Sequence, residues 1–229
     1  MDLSAIGQRV WSPGRRFRLW ALLLLVVYLV GELGLAWPTS RALFQALVPL
    51  NLAFTLAVLS LFHADWSARF GQAAALVALA GFGVELLGIH TGAIFGHYAY
   101  GASLGPKLLE TPPIIGLNWL MLVYGSAELA KAAPWRSPLA RACLGASLMV
   151  ALDFLIEPVA MRTDMWDWQG GAVPLRNYVA WWLTALLLHL FWQSRRFEWS
   201  NPMGGWVFLL QVAFFLDLNL LAWLGWMPG

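Results

Sequence analysis

Seven stretches of this chain are apolar over lengths that can cross a lipid bilayer. They run near Arg18–Trp37, Leu43–Phe62, Gln72–Ile89, Pro113–Lys131, Leu139–Glu157, Arg176–Gln193 and Gly205–Leu224. A spanning helix takes about 20 predominantly apolar residues, so seven helices would use most of the 60% of the chain that is apolar. None of the runs alternates with a period of two, which argues against a transmembrane β-barrel. The expected fold is therefore an all-α, polytopic integral membrane helical bundle of about seven transmembrane helices, forming one domain over residues 1–229. Charged residues are only 11% of the chain, against roughly 25% in soluble proteins. That excludes a soluble domain with a polar surface, a disordered chain and a nucleic-acid binder. Cys143 is the single cysteine, so no intrachain disulfide framework is possible.

The basic residues set the orientation. Arg9, Arg15, Arg16, Arg18, Arg69, Lys131, Arg136, Arg141, Arg195 and Arg196 fall on one side of the expected bundle; Arg41, Lys107, Arg162 and Arg176 fall on the other. The excess of positive charge marks the cytoplasmic face. The N-terminus is expected in the cytoplasm, the chain in the cell membrane as a multi-pass protein, and the first run as an uncleaved helix. It is too long for a signal-peptide core and no convincing small-x-small cleavage site follows it.

With that orientation, the ionisable groups inside the spans fall at one depth. Glu32, Glu85, Asp153, Glu157 and Asp217 lie in the outer half, with Gln45, Asn51 and Asn118 near the same level. Intramembrane acids are costly and mark candidate functional sites. Asp153 and Glu157 are one helical turn apart and share a face. Two carboxyl groups that close in a low dielectric cannot both ionise easily, so one is expected to hold a proton and to be able to donate it. The competing reading is that such acids only hydrogen-bond neighbouring helices. Two connections on the same side, His90–Gly101 and Asp164–Gly171, are rich in glycine and aromatic residues. They are expected as loops roofing a pocket, although an interfacial aromatic belt has similar composition.

Other chemistries find little support. There is no P-loop, no GxGxxG and no CxxC. His90 and His97 with Glu85 are the only candidate metal ligands, and glycines interrupt their segment, so no metal site is assigned. Cys143 lies among Ala and Leu and reads as a packing residue.

The stretch Gly83–Gly92, continuing through Phe95, Gly96, His97, Tyr98 and Tyr100, resembles the first signature of the membrane carotenoid hydratases. These are cofactor-independent C-1,2 hydratases acting on γ-carotene, lycopene-type or bisanhydrobacterioruberin ends. Leu104-Gly105-Pro106, Pro112 and Asn118-Trp119 continue the pattern. A second block follows with Asp153, Glu157-Pro158-Val159, Trp166, Trp168, Pro174, Asn177 and Trp181. The likeness covers roughly residues 80–185. Glu157 stands where the family usually has aspartate. The resemblance implies a hydro-lyase of carotenoid biosynthesis, a carotenoid 1,2-hydratase, that adds water to the terminal C1–C2 double bond of an acyclic ψ end, giving a tertiary alcohol. It implies no cofactor and no metal. It implies an apolar polyene substrate taken from the bilayer, contact with membrane lipids and with other carotenoid enzymes, and no nucleic acid. Asp153, Glu157 and Glu85 are the catalytic candidates, with the order of Asp153 and Glu157 open. Tyr98, Tyr100, Trp166, Trp168, His90, Thr91, His97, Asn118 and Asn177 are the substrate-binding candidates. The competing functions are a cyclase or other isoprenoid-modifying enzyme, a non-catalytic carotenoid or lipid carrier, and a proton-coupled transporter.

Overall fold

The computed structural model describes residues 14–195, 197 and 199–227; Arg9 and Arg196 of the orientation argument lie outside the described residues. The chain is mostly helical. The elements are α1 (Arg15–Ala36), α2 (Arg41–Ala46), α3 (Val48–Leu61), α4 (Ala68–Thr91), β1 (Tyr98–Tyr100), α5 (Ile114–Lys131), α6 (Pro138–Arg162), β2 (Trp166–Trp168), α7 (Leu175–Ser194) and α8 (Pro202–Trp223). Four helices, α1, α4, α6 and α8, are long and apolar enough to cross a membrane.

The other helices depart from the expected runs for identifiable reasons. The run Leu43–Phe62 is two helices, broken at Leu47. Pro49 opens α3 and has no N–H to offer the Gln45 carbonyl, so the ladder cannot run through. The run ending at Glu157 continues to Arg162 with Pro158 inside the helix. α5 has 18 residues and is less apolar, yet it is the most enclosed helix: every residue from Met121 to Ala127 is buried. It packs against α3, α4, α6, α7 and α8. A helix surrounded by protein need not be as apolar as one facing lipid.

The outer surface is inverted relative to a soluble protein. Leu33 on α1, Leu79 on α4 and Leu187 on α7 are 69%, 67% and 67% exposed. Trp37, Trp66, Trp135 and Trp223 are exposed at or beyond helix ends, where amphipathic indoles favour the interface.

Close helix approach depends on missing side chains at a few points. Gly81 of α4 lies against the Trp119 ring of α5, and a Cβ there would overlap the indole. Trp119 in turn stacks on Trp181 with centroids 4.2 Å apart. Overpacking such a contact costs roughly 1–3 kcal/mol. Gly81→Ala is therefore expected to lower stability by about that amount, and thermal unfolding in detergent would read the change.

β1 and β2 pair as an antiparallel ribbon, Tyr98 with Trp168, Ala99 with Asp167 and Tyr100 with Trp166. The sequence reading had loops here. Side chains alternate across a strand, so Tyr98, Tyr100, Trp166 and Trp168 share one face. Ala99 and Asp167 take the other and are exposed. The ribbon is tied down beyond its ends: Gly101 N–H donates to the Met165 carbonyl, and Ser103 Oγ donates to the Thr163 carbonyl.

Candidate functional site

Three carboxyl groups meet beneath the aromatic face of the ribbon. Glu85 comes from the last turns of α4. Asp153 and Glu157 come from successive turns of α6. They are 3%, 1% and 2% exposed. All three line one cavity of about 90 Å³ between the helices. A single buried water needs only about 10–15 Å³ of such space, so there is room for the end of an apolar chain and a water together. Apart from these acids, the wall is mainly aromatic and aliphatic. Among the described residues it contains no Lys, Arg or His.

The hydrogen bonds separate the three acids. Glu85 Oε2 accepts from the Tyr98 hydroxyl at 2.5 Å and the Tyr100 hydroxyl at 2.8 Å, while Oε1 accepts from Trp119 Nε1 at 3.0 Å. Glu157 Oε2 accepts from Trp166 Nε1 at 2.9 Å and Trp168 Nε1 at 2.7 Å. The Asn177 amide nitrogen, on α7, donates to Glu157 Oε1 at 3.3 Å and to Asp153 Oδ2 at 3.0 Å. Asp153 Oδ1 has no hydrogen-bond partner. It is the one carboxyl oxygen of the three acids left free, and it is buried in the cavity wall.

The ribbon thus supplies four side-chain donors, two to each glutamate. Burial, and then the neighbouring Glu85 carboxyl, push the Tyr98 and Tyr100 hydroxyls well above the ordinary tyrosine range. Both remain protonated donors at physiological pH. Their rings and those of Trp166 and Trp168 present π faces and edges close to the carboxyl groups: Tyr98 lies 4.9 Å from Trp168, and Tyr100 lies 6.2 Å from Trp166, between centroids.

Of the sequence candidates, Glu85, Asp153, Glu157, Tyr98, Tyr100, Trp166, Trp168, Asn118 and Asn177 all line the cavity. His90, Thr91 and His97 do not, and each is exposed. His90 Nδ1 lies 2.9 Å from the Leu86 carbonyl of its own helix, and Thr91 Oγ1 donates to the Leu87 carbonyl at 2.6 Å. Both groups turn back on α4 as its last turn ends. His97 packs over Gly92, which closes α4 in the left-handed conformation at φ 60°. A side chain there would be strained and would meet the imidazole. These three residues shape the entry to the ribbon and leave the cavity to others. His90, His97 and Glu85 form no metal-ligand group among the described residues.

The five acids of similar depth also divide. Glu32 on α1 and Asp217 on α8 are electrostatic neighbours of each other, and neither lines the cavity; nor does Gln45. Depth along a helix does not fix the direction a residue faces, and the phase of each helix decides the grouping. The sequence reading missed Tyr28 and Gln211 as wall residues. Gln211 had a usable signal, as an amide within a strongly apolar run.

A family model described as carotenoid biosynthesis protein matches residues 44–227. The bisanhydrobacterioruberin hydratase of Haloarcula japonica is 28% identical over 123 residues, covering 51% of this chain and 42% of that protein. The chain thus matches less than half the length of that relative. No solved structure matches.

Proposed function

Because the chain belongs to the carotenoid biosynthesis protein family, we propose that it is a carotenoid 1,2-hydratase, a hydro-lyase that adds water across the terminal C1–C2 double bond of an acyclic ψ end. The Haloarcula relative carries the name of a hydratase, which supports the reaction class. The observation that carries the reading is Asp153 itself, which lines an apolar cavity and whose Oδ1 is buried without a hydrogen-bond partner.

Alkene hydration needs a proton donor, a wall that tolerates a carbocation, and water. Glu85 and Glu157 have every oxygen occupied by donors from the ribbon, Trp119 or Asn177. Asp153 has one oxygen anchored by Asn177 and one free. Asp153 is therefore the donor: its carboxyl proton passes to C2, and the C1–C2 π electrons form the new C–H bond. The tertiary cation at C1 faces the rings of Tyr98, Tyr100, Trp166 and Trp168, each worth roughly 0.5–2 kcal/mol as a cation–π partner. Water adds to C1, and the proton it releases restores Asp153. The sum is one water added, with no change in oxidation state. Glu85 and Glu157 act as anchors that hold the aromatic face over the reacting end.

In this reading the chain is a multi-pass protein of the cell membrane with its N-terminus in the cytoplasm. α2 and α3 together make one interrupted span, and α5 and α7 complete seven. The lipid-facing Leu and Val surface lets an apolar polyene reach the bundle from the bilayer. Expression in a host that makes lycopene or γ-carotene tests the activity. The expected pigment is heavier by one water and carries a tertiary hydroxyl. A pigment of unchanged mass, whether cyclised or untouched, contradicts it.

A further inference from the structure

The cavity has a second polar wall, opposite in chemistry to the acids. Asn51 of α3 and Gln211 of α8 both line it. The Asn51 Oδ1 and Gln211 Oε1 atoms are buried and accept no hydrogen bond from the protein; Gln211 as a whole is 5% exposed. The two amides lie beside one Tyr28–Thr55 pair. The Tyr28 hydroxyl lies 3.3 Å from Thr55 Oγ1, and the Gln211 side chain is a polar neighbour of Tyr28. Asn51 lies one turn before Thr55 on the same face of α3.

An unpaired buried amide oxygen is unfavourable, and a native cavity wall that holds two of them calls for an explanation. Both atoms are pure acceptors. A hydrocarbon chain end has no donor to give them. What satisfies them is an O–H group, and two acceptors on one wall suit a molecule with two O–H bonds. We propose that Asn51 and Gln211 hold the water that adds to C1, one hydrogen donated to each amide oxygen, its lone pair turned toward the substrate. The proposal deepens the hydratase reading and rests on it.

The steps balance with these groups. The Asp153 O–H bond breaks as the C2–H bond forms. The water lone pair forms the C1–O bond, and one O–H bond of the resulting oxonium breaks. Neutral amides are poor proton acceptors, so that proton returns to the Asp153 carboxylate. The remaining hydrogen, now on the product hydroxyl, stays on an amide oxygen until the product leaves. Asn51 and Gln211 are water-positioning residues and are not needed for the protonation.

That separation supplies the test. Asn51→Leu and Gln211→Met remove the acceptor oxygens with little change in shape, and Asn51→Ala and Gln211→Ala form a second pair. Each is given lycopene, which has no hydroxyl, in D2O. The expected result is a loss of alcohol of about tenfold or more per variant, the scale of one hydrogen bond lost in the addition step. Deuterium should still enter the terminal end of recovered lycopene, because the cation forms and then loses a proton. Deuterium entry also reports a folded, proton-donating chain. Normal alcohol from lycopene in both positions overturns the water site. If the defects appear only with a hydroxyl-bearing carotenoid, the amides read a substrate hydroxyl and the water site is overturned. Loss of deuterium entry together with alcohol in both pairs places the defect at protonation and overturns it as well. A wild-type chain that forms no alcohol overturns both this proposal and the hydratase reading, whereas normal wild-type hydration with unaffected variants overturns this proposal alone.

Discussion

Asp153→Asn is expected to cut carotenoid hydration by at least about 100-fold, the low end for losing a general acid, while leaving the protein in the membrane at normal level and stability. The two halves of that expectation come from the same geometry. Asp153 Oδ2 accepts from Asn177 at 3.0 Å, and an asparagine carbonyl can keep that bond. The new NH2 would replace Oδ1, which has no partner to lose. The substitution therefore removes the transferable proton and keeps the Asn177 bond, and the new NH2 stands where the proton-donating Asp153 already has an unpartnered O–H. Chromatography of extracted pigments, with the protein quantified by immunoblot and its melting followed in detergent, reads both halves. Near-normal hydroxylated product would remove Asp153 from the proton-donor role.

Glu85→Gln is expected to do something different. It should lower both hydration, by about 100-fold as the aromatic face is misplaced, and stability, by about 1–3 kcal/mol. Glu85 is the acceptor for three donors on two segments: Tyr98 and Tyr100 of β1 and Trp119 of α5. A glutamine can turn its carbonyl toward Trp119 or toward the tyrosines. In the first orientation the tyrosine hydroxyl hydrogens lose their acceptor; in the second the indole N–H does. A buried donor is left unpaired either way. The aromatic face that Tyr98 and Tyr100 contribute would then no longer be held over the reacting end. Melting of the variant alongside its product yield checks the prediction, and loss of activity at unchanged stability would point to direct chemistry by Glu85.

Much of this site is legible in the residues themselves. Glu85, Asp153 and Glu157 are conspicuous because a carboxyl group inside an apolar run is costly, and the cavity brings those three together. What depth alone does not carry is azimuth. Glu32 and Asp217 lie at a similar level but do not line the cavity. Each strand of the ribbon is three residues long, too short for a periodicity to stand out in the sequence. Tyr98-Ala99-Tyr100 and Trp166-Asp167-Trp168 are nonetheless two strict alternations whose registers match. His90 and His97 drew notice as titratable groups near an acid, yet the end of α4 at Gly92 turns them outward. Tyr28 blends into its apolar run, whereas Gln211 stands out in its own as a polar amide but carries no direction. Their significance depends on α1, α3 and α8 meeting at one wall, which is a tertiary fact. The break at Leu47 was readable from Pro49, and the passage of α6 through Pro158 was not, since the surrounding packing decides whether a proline ends a helix.

The central claim is that the chain protonates a terminal alkene and captures the cation with water. The most direct measurement incubates the membrane-embedded protein with lycopene in D2O, with no added cofactor, and locates the label in the product by mass spectrometry and NMR. The account predicts a hydroxyl at C1 and a single deuterium at C2, with no other change. A product hydroxylated without deuterium at C2, or one formed only when an oxidant or reductant is supplied, would contradict it.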